Sequence, residues 1–133
     1  MKELSDFFEE FNDDDEQIAL MASSAPEKPD AISTSSYALD DVIGIPGVPV
    51  GRISQFYGAA GSGKTLIAML AMKQAQLKDP DAQQIFCDAE GTFNPSWASN
   101  LGLNLDNIWV IPDSFASSGQ KLFELLLGVA KED

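Results

Sequence analysis

The stretch Gly58-Ala59-Ala60-Gly61-Ser62-Gly63-Lys64-Thr65 decides the fold, because it fits the phosphate-binding pattern G-x-x-x-x-G-K-[S/T]. Its glycines let the backbone turn tightly and bring N–H groups close to phosphate oxygens. A helix that begins at the end of the loop adds the positive end of its dipole. We therefore predict that the loop binds a nucleoside triphosphate. Lys64 would reach the β and γ phosphates, and the Thr65 hydroxyl would ligate Mg²⁺.

Strand and helix patterns alternate on both sides of this loop. A strand pattern over residues 52–57 leads into it, and a helical pattern over residues 64–77 follows it. The other predicted elements are a helix at 37–43, a strand at 84–88, a helix at 95–101 with Asn94 as its N-cap, a strand at 107–111 and a helix at 119–130. Such alternation predicts an α/β fold with a parallel sheet and flanking helices over residues 32–133.

Residues 1–31 differ in character from the remainder of the chain. Residues 1–16 hold eight acidic residues against one lysine, and the apolar residues at 4, 7, 8 and 11 fit one face of a helix. A short apolar segment, Ile18-Ala19-Leu20-Met21, follows the acids. Two interpretations stay open: a disordered acidic tail, or a helix and strand that dock on a partner.

The composition limits the classes of function. The net charge is −13 and there is no histidine, which argues against a chain that binds nucleic acid by itself. No run of eighteen apolar residues predicts a membrane helix, and the N-terminus lacks the pattern of a secretory signal. With a single cysteine, Cys87, a disulfide framework is excluded and a cytoplasmic location is expected.

Two carboxylates follow the second predicted strand, at the sheet edge where ligands of parallel sheets bind. If the strand continues, Asp88 and Glu90 point to the same side, since side chains alternate along a strand. A carboxylate there could orient and deprotonate a water for attack on the γ phosphate. The alternative is a solvated strand end or a helix cap. Cys87 is predicted to pack within the strand, because the chain has no histidine to activate a nucleophile.

Four segments together resemble the ATP-binding core of the RecA-family recombinases. Residues 32–40, Ile-Ser-Thr-Ser-Ser-Tyr-Ala-Leu-Asp, resemble the family's I-S-T-G-S-x-x-L-D, with Ser35 in the place of glycine. Residues 47–53 resemble its G-[LV]-P-x-G-R-I turn, residues 86–90 its F-[IV]-D-A-E, and residues 101–108 its L-G-[VI]-D-x-D-N-L. The resemblance covers about residues 32–133 and implies a P-loop NTPase core of the RecA type.

The resemblance also implies roles for single residues. Glu90 would be the catalytic carboxylate that positions the attacking water, beside Lys64. Trp97 would stack on the adenine, and Asn94 would lie near the base. Residues 18–21 lie about where the family has a strand that joins a neighbouring protomer, which implies self-association, or association with the remaining part of a recombinase, through the N-terminal segment.

The chain departs from the family in two ways. Its phosphate loop differs from the usual G-P-[ED]-[SG]-[SA]-G-K-T, and the sequence reaches Asp133 before the expected Walker B strand and DNA-binding loops. We therefore expect a truncated or split product that hydrolyses ATP weakly or not at all alone, with single-stranded DNA bound only by the complete protein. Alternatives are part of a RecA-fold helicase or motor ATPase, or a non-hydrolysing ATP-binding module that caps a recombinase filament.

Overall fold

A computed structural model describes Phe8, residues 29–116 and residues 118–129 of the 133-residue chain. The predictions for residues 1–31 therefore lie almost entirely outside the described residues. Phe8, the one residue before position 29 that the structure describes, is helical and exposed. No helix in the described part is both long and apolar enough to cross a membrane.

The first elements of the described range 29–116 are two strands that form a small antiparallel pair. Strand β1 (Ala31–Ile32) pairs with β2 (Val48–Pro49), with Ala31 opposite Pro49. Gly47, just before β2, has φ 125°, and a Cβ atom there would lie 2.0 Å from the carbonyl oxygen of Ile32. Only glycine fits this close approach. Strand β1 crosses the predicted boundary between residues 31 and 32.

Helix α1 (Tyr37–Ile43) was predicted, and it lies between the two short strands, which were not. The Ser36 side chain accepts a hydrogen bond from the Leu39 N–H at 3.4 Å and caps the helix. The helix ends at Gly44, whose left-handed φ of 80° is the usual way for a helix to stop.

A hydrogen-bonded carboxylate organises the residues before α1. Asp40 accepts from the Thr34 hydroxyl at 2.6 Å, the Thr34 N–H at 3.0 Å and the Ser33 hydroxyl at 2.7 Å. These bonds, the Thr34 hydroxyl first, lower the pKa of Asp40 below its usual value. Thr34 is fully buried. The charged carboxylate therefore holds the turn that leads into α1.

The main unit is a helix packed beside a parallel strand pair. Helix α2 (Lys64–Lys78) follows the phosphate-loop sequence, then β3 (Gln84–Cys87) pairs with β4 (Ile108–Ile111). The register places Gln84 beside Ile108 and Cys87 beside Ile111. Helix α3 (Pro95–Asn100) and a 3-10 turn (Leu105–Asn107) lie between the two strands in sequence. The two helices and the two strands were predicted within one or two residues at each end, and the 3-10 turn was not predicted.

The core is small and forms where α2, α3 and the strand pair meet. Its buried apolar residues are Met69, Ala98 and Leu103, and partly buried side chains surround them: Met72, Phe86, Phe93, Leu101, Leu105 and Ile108. The rings of Phe86 and Phe93 lie 5.0 Å apart, which packs the end of β3 against the segment before α3. This core fixes the positions of the phosphate loop and of α3 relative to β3.

A buried amide ties α2 to the segment before β4. Gln76 donates through Nε2 to the Asn104 carbonyl at 2.9 Å and accepts from the Asn104 N–H at 2.9 Å. Since both polar ends of the side chain are hydrogen-bonded, its burial leaves no unsatisfied polar group at these positions. These two hydrogen bonds thus fix the position, along α2, of the segment that leads into β4.

The last described elements are short helix α4 (Asp113–Ala116) and helix α5 (Gly119–Val129). Helix α5 was predicted, but no residue in it is buried, and Phe123 and Leu127 are more than half exposed. Its apolar face is therefore solvated over the described residues.

The predicted strand at residues 52–57 is wrong. This segment joins neither of the two strand pairs that the described residues form, and Ile53 and Tyr57 are almost fully exposed. An alternating pattern becomes a strand only where a neighbour accepts and donates its backbone hydrogen bonds, and no described strand pairs with this segment. The parallel sheet is accordingly a two-stranded one over the described residues.

Candidate functional site

The phosphate-loop sequence folds as a turn that runs directly into α2. Gly61 and Gly63 have φ of 73° and 86°, a region that side-chain-bearing residues rarely adopt. Gly63 is the N-cap of α2, and no side chain in the described residues caps the helix there. The first backbone N–H groups of α2 have no partner within the helix. They are therefore the donors with which this end of the helix could bind an anion.

The Lys64 side chain folds back over the loop. Its ammonium donates to the carbonyls of Gly58 at 3.1 Å and Ala59 at 2.9 Å. An ammonium group has three donors, so one remains beyond these two bonds. The lysine thus links both ends of the loop and keeps a positive charge beside it.

A cleft of about 590 Å³ opens beside the loop. This volume is within the range typical of small-molecule sites. Glu90 and Trp97 line the cleft together with residues of the loop and of the first turn of α2: Ala60, Gly61, Gly63, Lys64, Thr65 and Leu66. The structure therefore brings together five of the predicted site residues from the loop with the predicted carboxylate and the predicted aromatic ring.

Four predicted site residues lie outside the lining of this cleft. Ser62 lines a smaller cleft of about 270 Å³ with Lys64, Phe56 and Tyr57. Gly58 and Ala59 contribute the carbonyls that Lys64 contacts, and a Cβ on Gly58 would lie 3.0 Å from the Ser62 hydroxyl. These three residues shape the loop around the cleft. The fourth is Asn94.

The two carboxylates after β3 do not point the same way. Strand β3 ends at Cys87 and the chain turns, with the Gly91 N–H donating to the Asp88 carbonyl at 3.4 Å. Asp88 is buried, and its carboxylate accepts from the N–H groups of Thr92 at 3.0 Å and Phe93 at 2.8 Å. Glu90 is exposed and lines the cleft. A common side was expected only if the strand continued, and β3 ends at Cys87, before either carboxylate.

Helix α3 places Trp97 on the cleft. The Asn94 side-chain oxygen accepts from the Trp97 N–H at 3.0 Å, and Pro95 occupies the first turn, as predicted for the start of this helix. Trp97 is 38% exposed and lines the cleft. Asn94 fixes the turn from which the ring projects.

Two nearby residues were not predicted. Leu66 lines the cleft, although the sequence placed it only within the helical pattern over residues 64–77. A Cβ on Gly91 would lie 3.9 Å from the Asp113 carboxylate, so Asp113 sits across from the turn that carries Glu90. The parallel pairing of Cys87 with Ile111 accounts for this, because both chains leave the strand pair at the same edge.

The described residues offer few side chains for metal binding or for thiol chemistry. The described residues contain no cluster of three or more His, Cys, Asp or Glu side chains that could hold a metal ion by itself. The Thr65 hydroxyl, at the cleft, suits an Mg²⁺ ion that also takes phosphate oxygens and water. Burial raises the pKa of the Cys87 thiol, so the thiol stays protonated within β3. A protonated, partly buried thiol agrees with a packing role for Cys87.

Comparisons with known proteins give one consistent result. The family model described as the RecA N-terminal domain matches residues 4–129. Protein RecA of Mycoplasma mobile is 38% identical over 116 residues, which are 87% of this chain and 34% of that protein. Protein RecA of Clostridium botulinum is 42% identical over 98 residues, 74% of this chain and 27% of that protein.

A third relative carries a fuller name. The mitochondrial DNA repair protein recA homolog of Dictyostelium discoideum is 36% identical over 109 residues, which are 82% of this chain and 23% of that protein. The chain thus spans between 23% and 34% of the length of these three relatives.

Proposed function

Since the chain belongs to the RecA family, we propose that it is the ATP-binding part of a recombinase that acts in homologous recombination and DNA repair. In the complete protein, ATP binding would support filaments on single-stranded DNA and strand exchange. The name of the Dictyostelium relative, a DNA repair protein, supports the repair role.

The cleft beside the loop is the observation that carries this proposal. Lys64 and Thr65 line it with Glu90 and Trp97, although these residues come from three separate segments of the sequence. A cation, a hydroxyl, a carboxylate and an aromatic ring are the groups that a nucleoside triphosphate and its metal ion require. Their meeting at the N-terminus of α2 supports a P-loop NTPase arrangement, in which β3 and β4 belong to a larger parallel sheet.

Each group has a distinct role in the proposal. The backbone N–H groups at the start of α2 hold phosphate oxygens, and Lys64 directs its remaining donor at the β and γ phosphates. Thr65 holds Mg²⁺, which would neutralise charge on the phosphates. Glu90, exposed on the turn that follows Asp88, orients the attacking water. Trp97 stacks on the base.

The proposal extends to partners and location. The acidic segment of residues 1–31 would mediate self-association or contact with the remaining part of the recombinase. Single-stranded DNA would be bound by the complete protein in the cytoplasm, and no membrane is involved. In the alternative functions, a helicase or motor ATPase and a filament-capping module, the same cleft would bind ATP.

Replacing Lys64 tests the site directly. We expect Lys64→Ala to weaken binding of a non-hydrolysable ATP analogue by about a hundredfold or more, because charge-assisted hydrogen bonds to phosphate are lost. Isothermal titration calorimetry with Mg²⁺ measures the dissociation constant. Lys73→Ala is the matched control, since Lys73 lies on the same helix but lines a different cleft. Equal affinity of the Lys64 variant and the control would refute the assignment.

A further inference from the structure

Asp88 closes the loop that follows β3, residues 88–93, which we call the Asp88 loop. One oxygen of its carboxylate accepts from the Thr92 N–H at 3.0 Å, and the other accepts from the Phe93 N–H at 2.8 Å. The backbone N–H of Asp88 donates to the Ile111 carbonyl at 2.9 Å, at the end of β4. One buried residue therefore joins both ends of the loop and ties them to the strand pair.

Two side chains of the cleft depend on the path of this loop. Glu90 lies within the Asp88 loop, and Trp97 lies in the first turn of α3, which Asn94 caps directly after the loop. Both line the cleft beside Lys64. Their positions relative to the phosphate loop therefore depend on where the Asp88 loop begins and ends.

Apolar packing holds the same segment from the other side. The rings of Phe86 and Phe93 lie 5.0 Å apart, and Ala98 of α3 is buried with Met69 of α2. Such packing is not directional, whereas hydrogen bonds to a carboxylate fix the distance and direction of the N–H groups. The core thus keeps α3 against α2, and Asp88 defines the course of the chain that enters α3.

A carboxylate is suited to this task because both of its oxygens are acceptors. An amide of the same size has one acceptor and one donor group. In Asp88→Asn, the amide nitrogen would face the N–H of either Thr92 or Phe93, so one hydrogen bond is lost and two donors oppose each other. The replacement therefore disturbs the loop with almost no change in side-chain volume.

We propose that Asp88 is a positioning residue of the nucleotide site: by closing the Asp88 loop, it sets where Glu90 and Trp97 stand relative to Lys64. Asp88 is buried and lies outside the lining of the cleft, so it acts through these two residues and not by contact with the nucleotide. This inference rests on the proposed function, since it names a residue that supports the triphosphate site.

Calorimetry of the full chain with Mg²⁺ and a non-hydrolysable ATP analogue tests the proposal. We expect Asp88→Asn to weaken binding by about three- to tenfold, since one hydrogen bond of the loop is lost while the core still holds α3. Asp88→Glu, which moves both acceptor oxygens outward by one methylene, should also weaken binding and serves as the second variant if Asp88→Asn does not fold. Circular dichroism checks the fold of each.

Asp40→Asn is the matched control. Asp40 also accepts from a backbone N–H and from hydroxyl groups, but it lines a different cleft. The control should lose stability in urea and leave the affinity for the analogue unchanged. Equal affinity of the Asp88 variants and the control would overturn the proposal while the triphosphate site stands.

A change of background separates positioning from a general loss of structure. In a chain that also carries Glu90→Ala and Trp97→Ala, Asp88→Asn has neither side chain left to displace. Its effect on affinity should then fall below about twofold, because coupled residues do not contribute additively. The same loss in both backgrounds would show that Asp88 does not act through these residues.

The fluorescence of Trp97 reports on its position without a nucleotide. The chain has two tryptophans, and Trp109 is 67% exposed, so Trp109→Phe isolates the Trp97 signal with little loss of packing. In that background, Asp88→Asn should shift the emission maximum and Asp40→Asn should not. An unshifted maximum in Asp88→Asn contradicts the proposal. Absence of analogue binding by the unchanged chain would refute the proposed function, and this inference with it.

Discussion

Ser35 has a backbone conformation that serine seldom adopts. Its φ is 65°, in the left-handed region that favours glycine, and it occupies the place where the family pattern has glycine. Its neighbours hold it there: the Ser35 N–H donates to the Ser33 hydroxyl at 3.0 Å, and its own hydroxyl accepts from Gln74 at 2.9 Å. The turn before α1 is thus retained at the expense of local strain.

We predict that the Ser35→Gly variant is more stable to unfolding than the Ser35→Ala variant by about 1 kcal/mol. Both variants lose the hydrogen bond to Gln74, and only glycine relieves the strain of the left-handed backbone conformation. Chemical denaturation of Ser35→Gly and Ser35→Ala measures the difference. Ser99, which is exposed in α3, is the control position. There the Ser99→Ala variant should be more stable than the Ser99→Gly variant by about 0.5–1 kcal/mol. The same order at both positions would contradict the strained conformation.

For single residues, the sequence predicts the structure correctly where a residue's role depends on its neighbours in sequence. The Asn94 cap, the phosphate-loop glycines and the packing role of Cys87 follow from neighbouring residues and agree with the structure. The orientation of Asp88 does not follow, since it depends on where β3 stops. Leu66 was missed for a similar reason, because helical spacing does not show which side chains at the start of α2 border a cleft.

Among the elements, the pair formed by β1 and β2 depends on one glycine. The backbone of Ile32 lies against Gly47, and Asp30 accepts the Val50 N–H at 2.8 Å just beyond the pair. Because each strand is only two residues long, few other contacts can compensate for a displaced backbone.

We predict that Gly47→Ala destabilises the protein by about 3 kcal/mol or more, since its Cβ would collide with the Ile32 carbonyl in addition to the strained φ. Gly44→Ala is the matched control: Gly44 has φ 80° but open space around it, so the loss should be about 1 kcal/mol. Urea denaturation gives both values. Similar losses in the two variants would show that Gly47 is not closely approached.

Element boundaries were predictable where caps and periodicity agree, as for α1, α2 and α3. The strand expected at residues 52–57 was not, because pairing is decided by residues distant in sequence. Its alternation and flanking glycines are real, yet no partner lies beside it in the described part of the chain. An alternating sequence indicates that a segment can form a strand, but the strand forms only where the fold places another strand beside it.

For the whole molecule, charge is the dominant property. The chain carries 21 acidic residues against 8 basic ones, and the cleft adds Glu90 to the single cation Lys64. Polyanions are repelled by such a surface unless several lysines or arginines converge. Mg²⁺ would therefore be needed to bring a triphosphate to this cleft.

We predict that the chain does not bind single-stranded DNA at about 150 mM salt, with a dissociation constant weaker than about 100 µM, because its net charge opposes the phosphate backbone. Fluorescence anisotropy of a labelled oligonucleotide measures this, with and without an ATP analogue. Calorimetric binding of the analogue in the same sample shows that the protein is folded. Tight binding that falls steeply with added salt would contradict the prediction.

The bonds from Lys64 to the carbonyls of Gly58 and Ala59 have a thermodynamic consequence. A glycine-rich loop is free in the unfolded chain, and ordering it costs conformational entropy. Here the ammonium already ties the loop into a closed shape, so that ordering takes place when the chain folds, and not when a ligand arrives. Such preorganisation favours affinity. The lysine thus contributes before any phosphate is bound, by holding the loop in a closed shape.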